Sequence, residues 1–233
     1  DEIGSEKNKL MFNGCGKNEY SQLSGFGFGG NEKKNFSDYK ITDIVRNNDR
    51  NSYTFVRSSS SLQETKIIYF EPNSYFIKVE HVLKNTGPEK INSYPFSKIE
   101  RNALKPPGTE SAFFGDPANF AYLGPVFSSE SDNYLKVNFG DLEEAGYRED
   151  TVQGWTALLE HYFLTAIIPD QENNYSLVGK KNKKNEKFSV GIVGRTLNIN
   201  PFEEKSFTYS LYFGPKVQSE LSKANKDLPL AVD

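Results

Sequence analysis

The chain is poor in the residues that build disulfide-bonded or metal-bound folds. Its 233 residues include one cysteine, Cys15, and two histidines, His81 and His161. A lone cysteine excludes an internal disulfide and any metal site made of several cysteines. A zinc site needs three or four ligands, and the sequence clusters none around either histidine. We therefore expect neither a metal nor a cofactor.

A charge of one sign and a long apolar run are also missing. The 28 basic and 31 acidic residues leave a net charge of -3, which provides no electrostatic footprint for nucleic acid. No window approaches the roughly 20 apolar residues that cross a bilayer, and no signal peptide opens the chain. We expect a soluble piece of protein.

Aromatic rings are abundant, with 18 Phe and 13 Tyr against one Trp, and flat rings pack well on pleated strands. Alternation of apolar and polar residues over Tyr75–Leu83 predicts a strand with one buried face. The run Lys66–Phe70 precedes it and predicts the other half of a hairpin. Tyr53–Val56 predicts a third strand beside this hairpin. Later segments with the same pattern are Tyr134–Phe139, Phe188–Val193 and Phe207–Phe213. Just before Phe188–Val193, the basic stretch 180–185 predicts an exposed hairpin tip. Sheet-on-sheet packing buries such strands, so the fold class is all-β.

The two ends of the chain depart from this pattern. After Gly214, Pro215 suits the first turn of a helix, and Val217, Leu221 and Ala224 follow at helical spacing. We expect a linker helix over about 215–226, with Val217 and Leu221 packed on a sheet. Residues 1–40 are rich in Gly, Asn, Lys and Ser and predict an irregular segment or a diverged edge. No repeat or linker divides 41–233, which we interpret as one domain.

Three features suggest chemistry, and each has a simpler interpretation. The segment 25–30 matches the GxGxxG dinucleotide fingerprint but lacks the strand before it and the helix after it, so we interpret it as a flexible loop. His81 shares a strand face with apolar residues, which favours a hydrogen-bonded core histidine. Glu160 and His161 could form an acid–base pair, but neighbours on a strand point to opposite faces. We predict that the chain is not an enzyme.

The segment Gly154–Pro169, GWTALLEHYFLTAIIP, is the most specific motif in the chain. Its periodicity alone allows either a helix or strands. It resembles the signature of the periplasmic domain of YidC, the bacterial membrane-protein insertase family. The strand ending at Asn85–Gly87, the Gly214–Pro215 step and the C-terminal LPLAVD are also similar to that family, so the resemblance covers residues 50–233. It implies two strands that turn near Glu160 and His161.

The resemblance further implies a β-supersandwich like that of galactose mutarotase, two antiparallel sheets packed face to face and closed by a short C-terminal helix. The parent would be a multi-pass protein of the bacterial inner membrane, with this domain on the periplasmic face. The implied partners are SecF, SecD, the Sec translocon and nascent membrane proteins, and the implied contact area runs from Tyr134 to Tyr162 and Phe163. For Trp155 and Tyr162, packing in the core is favoured over contact with a partner. The alternative function is a carbohydrate- or peptide-binding supersandwich module, with a groove lined by Tyr and Phe.

Overall fold

The computed structural model describes residues 20–29, 35–103, 122–170, 174–184, 186–223 and 227–232. Cys15, Gly30, Ala224 and the expected helix end at Asn225 lie outside these ranges. The described residues form two sheets in which every strand pair is antiparallel. The all-β prediction with two packed sheets is confirmed.

The smaller sheet has six strands. They are β1 (Ser21–Phe28), β6 (Ile91–Arg101), β9 (Tyr147–Thr151), β12 (Tyr175–Asn182), β13 (Lys187–Gly194) and β14 (Leu197–Ile199). Their order is β1-β6-β13-β12-β9, and β14 also pairs with β6. The turn between β12 and β13 contains Lys183 and Lys184, so the prediction of an exposed hairpin tip is confirmed.

The larger sheet has nine strands. They are β2 (Lys40–Arg46), β3 (Asn51–Ser58), β4 (Leu62–Phe70), β5 (Phe76–Asn85), β7 (Gly124–Ser128), β8 (Leu135–Lys136), β10 (Trp155–Leu159), β11 (Phe163–Pro169) and β15 (Glu204–Pro215). Their order is β2-β3-β4-β5-β15-β11-β10-β7-β8. The predicted hairpin of Lys66–Phe70 with Tyr75–Leu83 is the β4–β5 pair, and Tyr53–Val56 lies in the neighbouring β3.

Two hydrophobic clusters hold the layers together. The larger lies between the sheets and joins Ile99 and Val190 of the small sheet to Val79 and Tyr209 of the large one. The smaller lies on the outer face of the large sheet. It is built from Val126, Trp155, Ala157, Leu159, Leu164, Ala166, Ile168, Tyr212, Leu221, Leu228 and Ala231. The large sheet is therefore packed on both faces where β10 and β11 run.

The motif Gly154–Pro169 contains these two strands, and the turn between them includes His161 and Tyr162. The two-strand alternative is thus the correct one. Its unbroken apolar run has a physical cause, since a strand that is covered on both faces needs apolar residues at every position. Alternate residues of β10 and β11 accordingly divide between the two clusters, with Leu158 and Ile167 facing inward.

Three local expectations are wrong. Residues 25–28 form part of β1 rather than a loop, because they pair with β6, and at Gly27 a Cβ would lie 2.3 Å from the Tyr94 ring. Of Tyr134–Phe139, only Leu135–Lys136 is strand. Asn138 then accepts a hydrogen bond from the Asp141 amide (2.9 Å) and begins the helix α1 (Phe139–Glu144), and such a cap favours helix over strand.

The third error concerns the C-terminal helix, which is shorter than expected. Pro215 is the last residue of β15, where it pairs with Phe163. The helix α2 covers only Gln218–Leu221 and is followed by a 3₁₀ helix, Leu228–Ala231. Leu221 is fully buried in the outer cluster, as expected, but Val217 is exposed. Pairing with β11 extends β15 through Pro215, so the helix can begin only afterwards.

Candidate functional site

A buried polar network lies on the inner face of the large sheet, where β4 and β5 face β1. Glu64 and His81 are both fully buried. The Arg57 Nε donates to Glu64 Oε2 at 2.7 Å, and its terminal nitrogen contacts the same oxygen. His81 Nδ1 lies 3.3 Å from Glu64 Oε1, and His81 Nε2 lies 3.0 Å from the Ser24 hydroxyl. The network thereby joins three strands of the large sheet to the edge strand of the small one.

The environment fixes the charges in this network. Burial disfavours the imidazolium and lowers the pKa of His81, although the bond to Glu64 opposes this. Burial alone would raise the pKa of Glu64, but the His81 hydrogen bond and the Arg57 charge outweigh it and lower that pKa. The consistent state has an ionised Glu64 beside Arg57 and a neutral His81. Its Nδ1–H then donates to the carboxylate, and its Nε2 accepts from Ser24.

Aromatic side chains from residues 35–39 close the network from the side. The Arg57 guanidinium carbon lies 4.5 Å from the ring centroids of both Phe36 and Tyr39. The Lys66 ammonium lies 5.5 Å from the Tyr39 ring, and burial lowers the pKa of Lys66. Cations over aromatic faces are held more strongly as water is excluded. The carboxylate of Glu64 and the ring of His81 are consequently buried, whereas the Arg57 side chain remains 26% exposed.

Beyond these side chains, the inner face that β3 and β4 form is only partly buried in the described ranges. Tyr53 pairs with Ile68, and Ile68 pairs with Val79 of the core, so all three side chains share one face. Tyr53, Ile68, Phe55 and Phe70 line a shallow groove of about 360 Å³, which Asn51 borders. The rings of Tyr53 and Phe70 meet edge to face, with centroids 5.7 Å apart. We call the surface of Asn51, Tyr53, Phe55, Ile68 and Phe70 the open face.

The three residues expected at a partner contact do not form one surface. Tyr134 is partly buried against Trp155, with ring centroids 6.2 Å apart, at the start of β10. Tyr162 and Phe163 lie beyond the other end of β10, where the Lys216 amide donates to the Tyr162 carbonyl (2.8 Å). Trp155 is fully buried, which confirms its core interpretation. Tyr162 is 70% exposed, so the same interpretation is wrong for Tyr162.

Glu160 and His161 lie in the turn between β10 and β11 rather than on a strand. Glu160 accepts a hydrogen bond from the Tyr20 hydroxyl (2.7 Å) and pairs with Arg101. The ring of His161 packs instead against Tyr162, with centroids 4.1 Å apart. The two side chains therefore have separate partners, and Glu160 ties the large sheet to β1 and β6. His81 is the hydrogen-bonded core histidine that its strand face predicts.

Neither the buried network nor the open face was predicted from the sequence. Alternation from Leu62 places Glu64 and Lys66 on the same strand face as Ile68, so two charged residues on an apolar face were a usable signal of the network. The open face has no such signal. Tyr53, Phe55 and Phe70 have the residue types and spacing of ordinary core aromatics. Only the order of the strands shows that the small sheet does not cover them.

No group of three or more His, Cys, Asp or Glu side chains in the described ranges could hold a metal ion. Among the helices of the same residues, none has the length and apolar character needed to span a membrane. The site therefore consists of a buried polar network beside an aromatic surface.

Comparison with solved structures defines the class of the fold. The chain is similar to the α-galactosidase AgaA of Geobacillus stearothermophilus, with a TM-score of 0.62 at 9% identity over 86% of this chain and 31% of the enzyme. An α-galactosidase of Lactobacillus brevis gives a TM-score of 0.54 at 9% identity over 88% and 28% of the two chains. The chain is thus a β-supersandwich of the galactose-mutarotase type.

Sequence comparison then identifies the family. A model of the YidC periplasmic domain matches residues 4–233, and the chain belongs to that family. The membrane protein insertase YidC of Pseudoalteromonas atlantica is 32% identical over 176 residues, which are 76% of this chain and 31% of that protein. The insertase YidC of Haemophilus influenzae is 32% identical over 168 residues, 72% of this chain and 30% of that protein. The chain spans about a third of the length of these relatives.

Proposed function

We propose that the chain is a non-catalytic accessory domain of a bacterial membrane-protein insertase and foldase. Its place is the periplasmic face of the inner membrane, to which a multi-pass parent anchors it. Membership of the YidC periplasmic domain family carries this proposal, because the curated relatives are named membrane protein insertases. Insertion itself belongs to the membrane-spanning part of such a parent.

The buried network supports a role without catalysis. General acid–base chemistry requires a side chain within hydrogen-bond reach of the substrate. Glu64 and His81 are the pair best suited to it, and both are fully buried with their polar atoms already bonded. Their geometry suits the joining of two sheets, where satisfied polar groups specify one packing arrangement.

The proposed activity is docking to the Sec translocon, with SecF and its partner SecD as the binding proteins. Nascent membrane proteins are the proposed transient partners. The end of the β10–β11 hairpin is the proposed contact, with Tyr162 at its centre and Phe163 beside it. An exposed tyrosine supplies a large contact area at low cost in conformational entropy, and interfaces are enriched in this residue. Tyr134 lies at the other end of β10 and would belong to the same contact only if the partner spans the strand.

Site-specific photo-crosslinking in the full insertase tests the docking proposal. A photo-reactive phenylalanine at Tyr162 is expected to crosslink to the periplasmic region of SecF. Phe202 is the matched control, since it is 71% exposed and lies in the turn before β15, far from the Pro215 end. Equal crosslinking from both positions, or none from Tyr162, would contradict the proposed contact.

The open face favours a second candidate, a carbohydrate- or peptide-binding module. Sugars and extended peptides stack on aromatic rings, and the open face presents Phe70, which is 37% exposed, beside the half-buried rings of Tyr53 and Phe55. Titration of the purified chain with galactose, glucose and apolar peptides, observed by NMR, would detect such binding at these residues. Epimerisation of galactose or glucose by the purified chain would contradict the non-catalytic assignment, whereas binding without turnover would favour this module.

A further inference from the structure

Among the described residues, strand β2 ends the large sheet and its outer edge is uncovered. Within the described residues its one strand partner is β3, so the backbone groups on its other edge have no ladder. All seven residues from Lys40 to Arg46 are exposed. The exposed fractions are 57% for Ile41, 45% for Ile44 and 44% for Val45. An apolar, unpaired edge is a template for the addition of another strand.

The apolar side chains of β2 continue the open face. Ile44 pairs with Tyr53, and Ile41 pairs with Phe55 across a bulge at the intervening residue. Because paired residues share a face, Ile41 and Ile44 lie on the same side as the open face. A strand added beside β2 could therefore bury its own apolar side chains against these two.

Three charges on β2 remain unmatched inside the sheet. Lys40, Asp43 and Arg46 pair with the neutral residues Val56, Thr54 and Asn51 of β3. No ion pair involves any of the three within the part of the chain that the structure describes. The edge therefore presents a plus–minus–plus pattern to whatever lies beside it.

This pattern disfavours a second copy of the chain as the occupant. Two β2 strands paired antiparallel about a two-fold axis, with full overlap, would place Asp43 opposite Asp43. The same register would place Lys40 opposite Arg46. Like charges that face each other across strands are destabilising. A strand with a minus–plus–minus pattern would match all three positions.

We propose that β2 binds an extended segment of another polypeptide as a tenth, antiparallel strand. That segment carries acidic residues opposite Lys40 and Arg46, a basic residue opposite Asp43, and apolar residues opposite Ile41 and Ile44. Main-chain hydrogen bonds along the edge hold the segment, and the charge pattern selects it. This surface does not depend on the docking of SecF at Tyr162.

Two synthetic peptides test the proposal. The peptide ETVKVE has the matching pattern, with one residue fewer than β2 because a regular strand runs past the bulge between Ile41 and Asp43, and KTVEVK is the charge-reversed control with the same apolar residues. Fluorescence polarisation with the whole chain is expected to show about tenfold tighter binding of ETVKVE, because three opposite-charge pairs are replaced by like-charge pairs in the control. Since the net charge of the chain is -3, non-specific attraction would favour the control peptide instead.

A charge-swapped protein makes the test decisive. The triple variant Lys40→Glu, Asp43→Lys and Arg46→Glu changes only exposed side chains, and it is expected to prefer KTVEVK by a similar factor. The same preference in both proteins, or no binding of either peptide at millimolar concentration, would overturn the proposal. Dimerisation of the chain in sedimentation experiments that is abolished by Ile44→Lys would also overturn it, because a second copy would then occupy the edge.

Discussion

The two ends of the large sheet differ in how they are covered. At one end β10 is buried at all five positions and β11 at six of seven, because the small sheet covers the inner face and the C-terminal segment covers the outer face. At the other end β2 is exposed at all seven positions, and β3 is nowhere fully buried. We call these the covered half and the open half.

Because of this difference, the residues that identify the family and the residues that could bind a partner lie in different halves of the sheet. The covered half contains Gly154–Pro169, the motif that resembles the family, and its residues are apolar because both faces are packed. The open half contains no recognisable motif, yet it has the half-buried aromatics and, within the described residues, the unpaired edge that a partner could use. A motif that identifies a family can therefore be a requirement of packing, while the binding surface lies elsewhere in the same sheet.

The largest expected effect concerns Trp155 in the covered half. The Trp155→Ala variant is expected to lower the free energy of unfolding by about 3–5 kcal/mol, because it empties a fully buried site in the outer cluster. Phe55→Ala in the open half is the matched aromatic control and should cost about 1 kcal/mol or less. Denaturant unfolding measures both, and equal losses would mean that the two halves are not differently packed.

The second prediction tests the C-terminal cover. Leu221→Ala is expected to cost about 2–4 kcal/mol, since Leu221 is fully buried against the outer face of the sheet. Val217→Ala should change stability by about 0.5 kcal/mol at most, because Val217 is exposed. If Leu221→Ala leaves the melting temperature unchanged, the C-terminal segment is a free linker and does not cover the sheet.

The third prediction concerns pH and the network that borders the open half. The pKa of His81 is lower in the folded chain than its ordinary value of 6.5, so the unfolded chain binds a proton that the folded chain excludes. Stability should therefore be complete above pH 6.5 and fall as the pH drops below it, by up to about 1.4 kcal/mol per pH unit for this proton. Glu64, whose pKa is also lowered, adds a further loss below its ordinary value of 4.5.

Unfolding curves at several pH values would measure this slope. His81→Phe should remove the part of the slope between pH 6.5 and 4.5. His161→Gln is the control, because His161 is the other histidine of the chain and lies outside the network. A slope that persists in His81→Phe but disappears in His161→Gln would contradict the assignment.

The smallest expected effect concerns the ring pair of the open face. A double-mutant cycle on Tyr53→Ala and Phe70→Ala is expected to give a coupling energy of about 0.5–1 kcal/mol, since the rings meet edge to face at 5.7 Å with one side toward solvent. Denaturant unfolding of the two single variants and the double variant measures it. A coupling energy near zero would mean that the groove is not preformed.

Much of the fold could be predicted from the sequence because it rests on local patterns. Period-two alternation located the β4–β5 hairpin and the stripe of Phe207, Tyr209 and Leu211, each of which faces the core. The face of His81 predicted its place in the core. The helix at the C-terminus was expected, but its start was not, because the pairing of Pro215 with Phe163 depends on a strand 52 positions away in the chain.

The sequence by itself determined the family, the all-β class and the burial of Trp155, since composition, alternation and the apolar motif are properties of the chain alone. Only the tertiary structure decided which strands are covered. Tyr53 and Phe55 have the same residue types and alternation as core aromatics, and nothing local distinguishes them from Tyr209. Their partial exposure follows from the order of the strands, because among the described residues a nine-stranded sheet extends beyond the six-stranded sheet that packs on it.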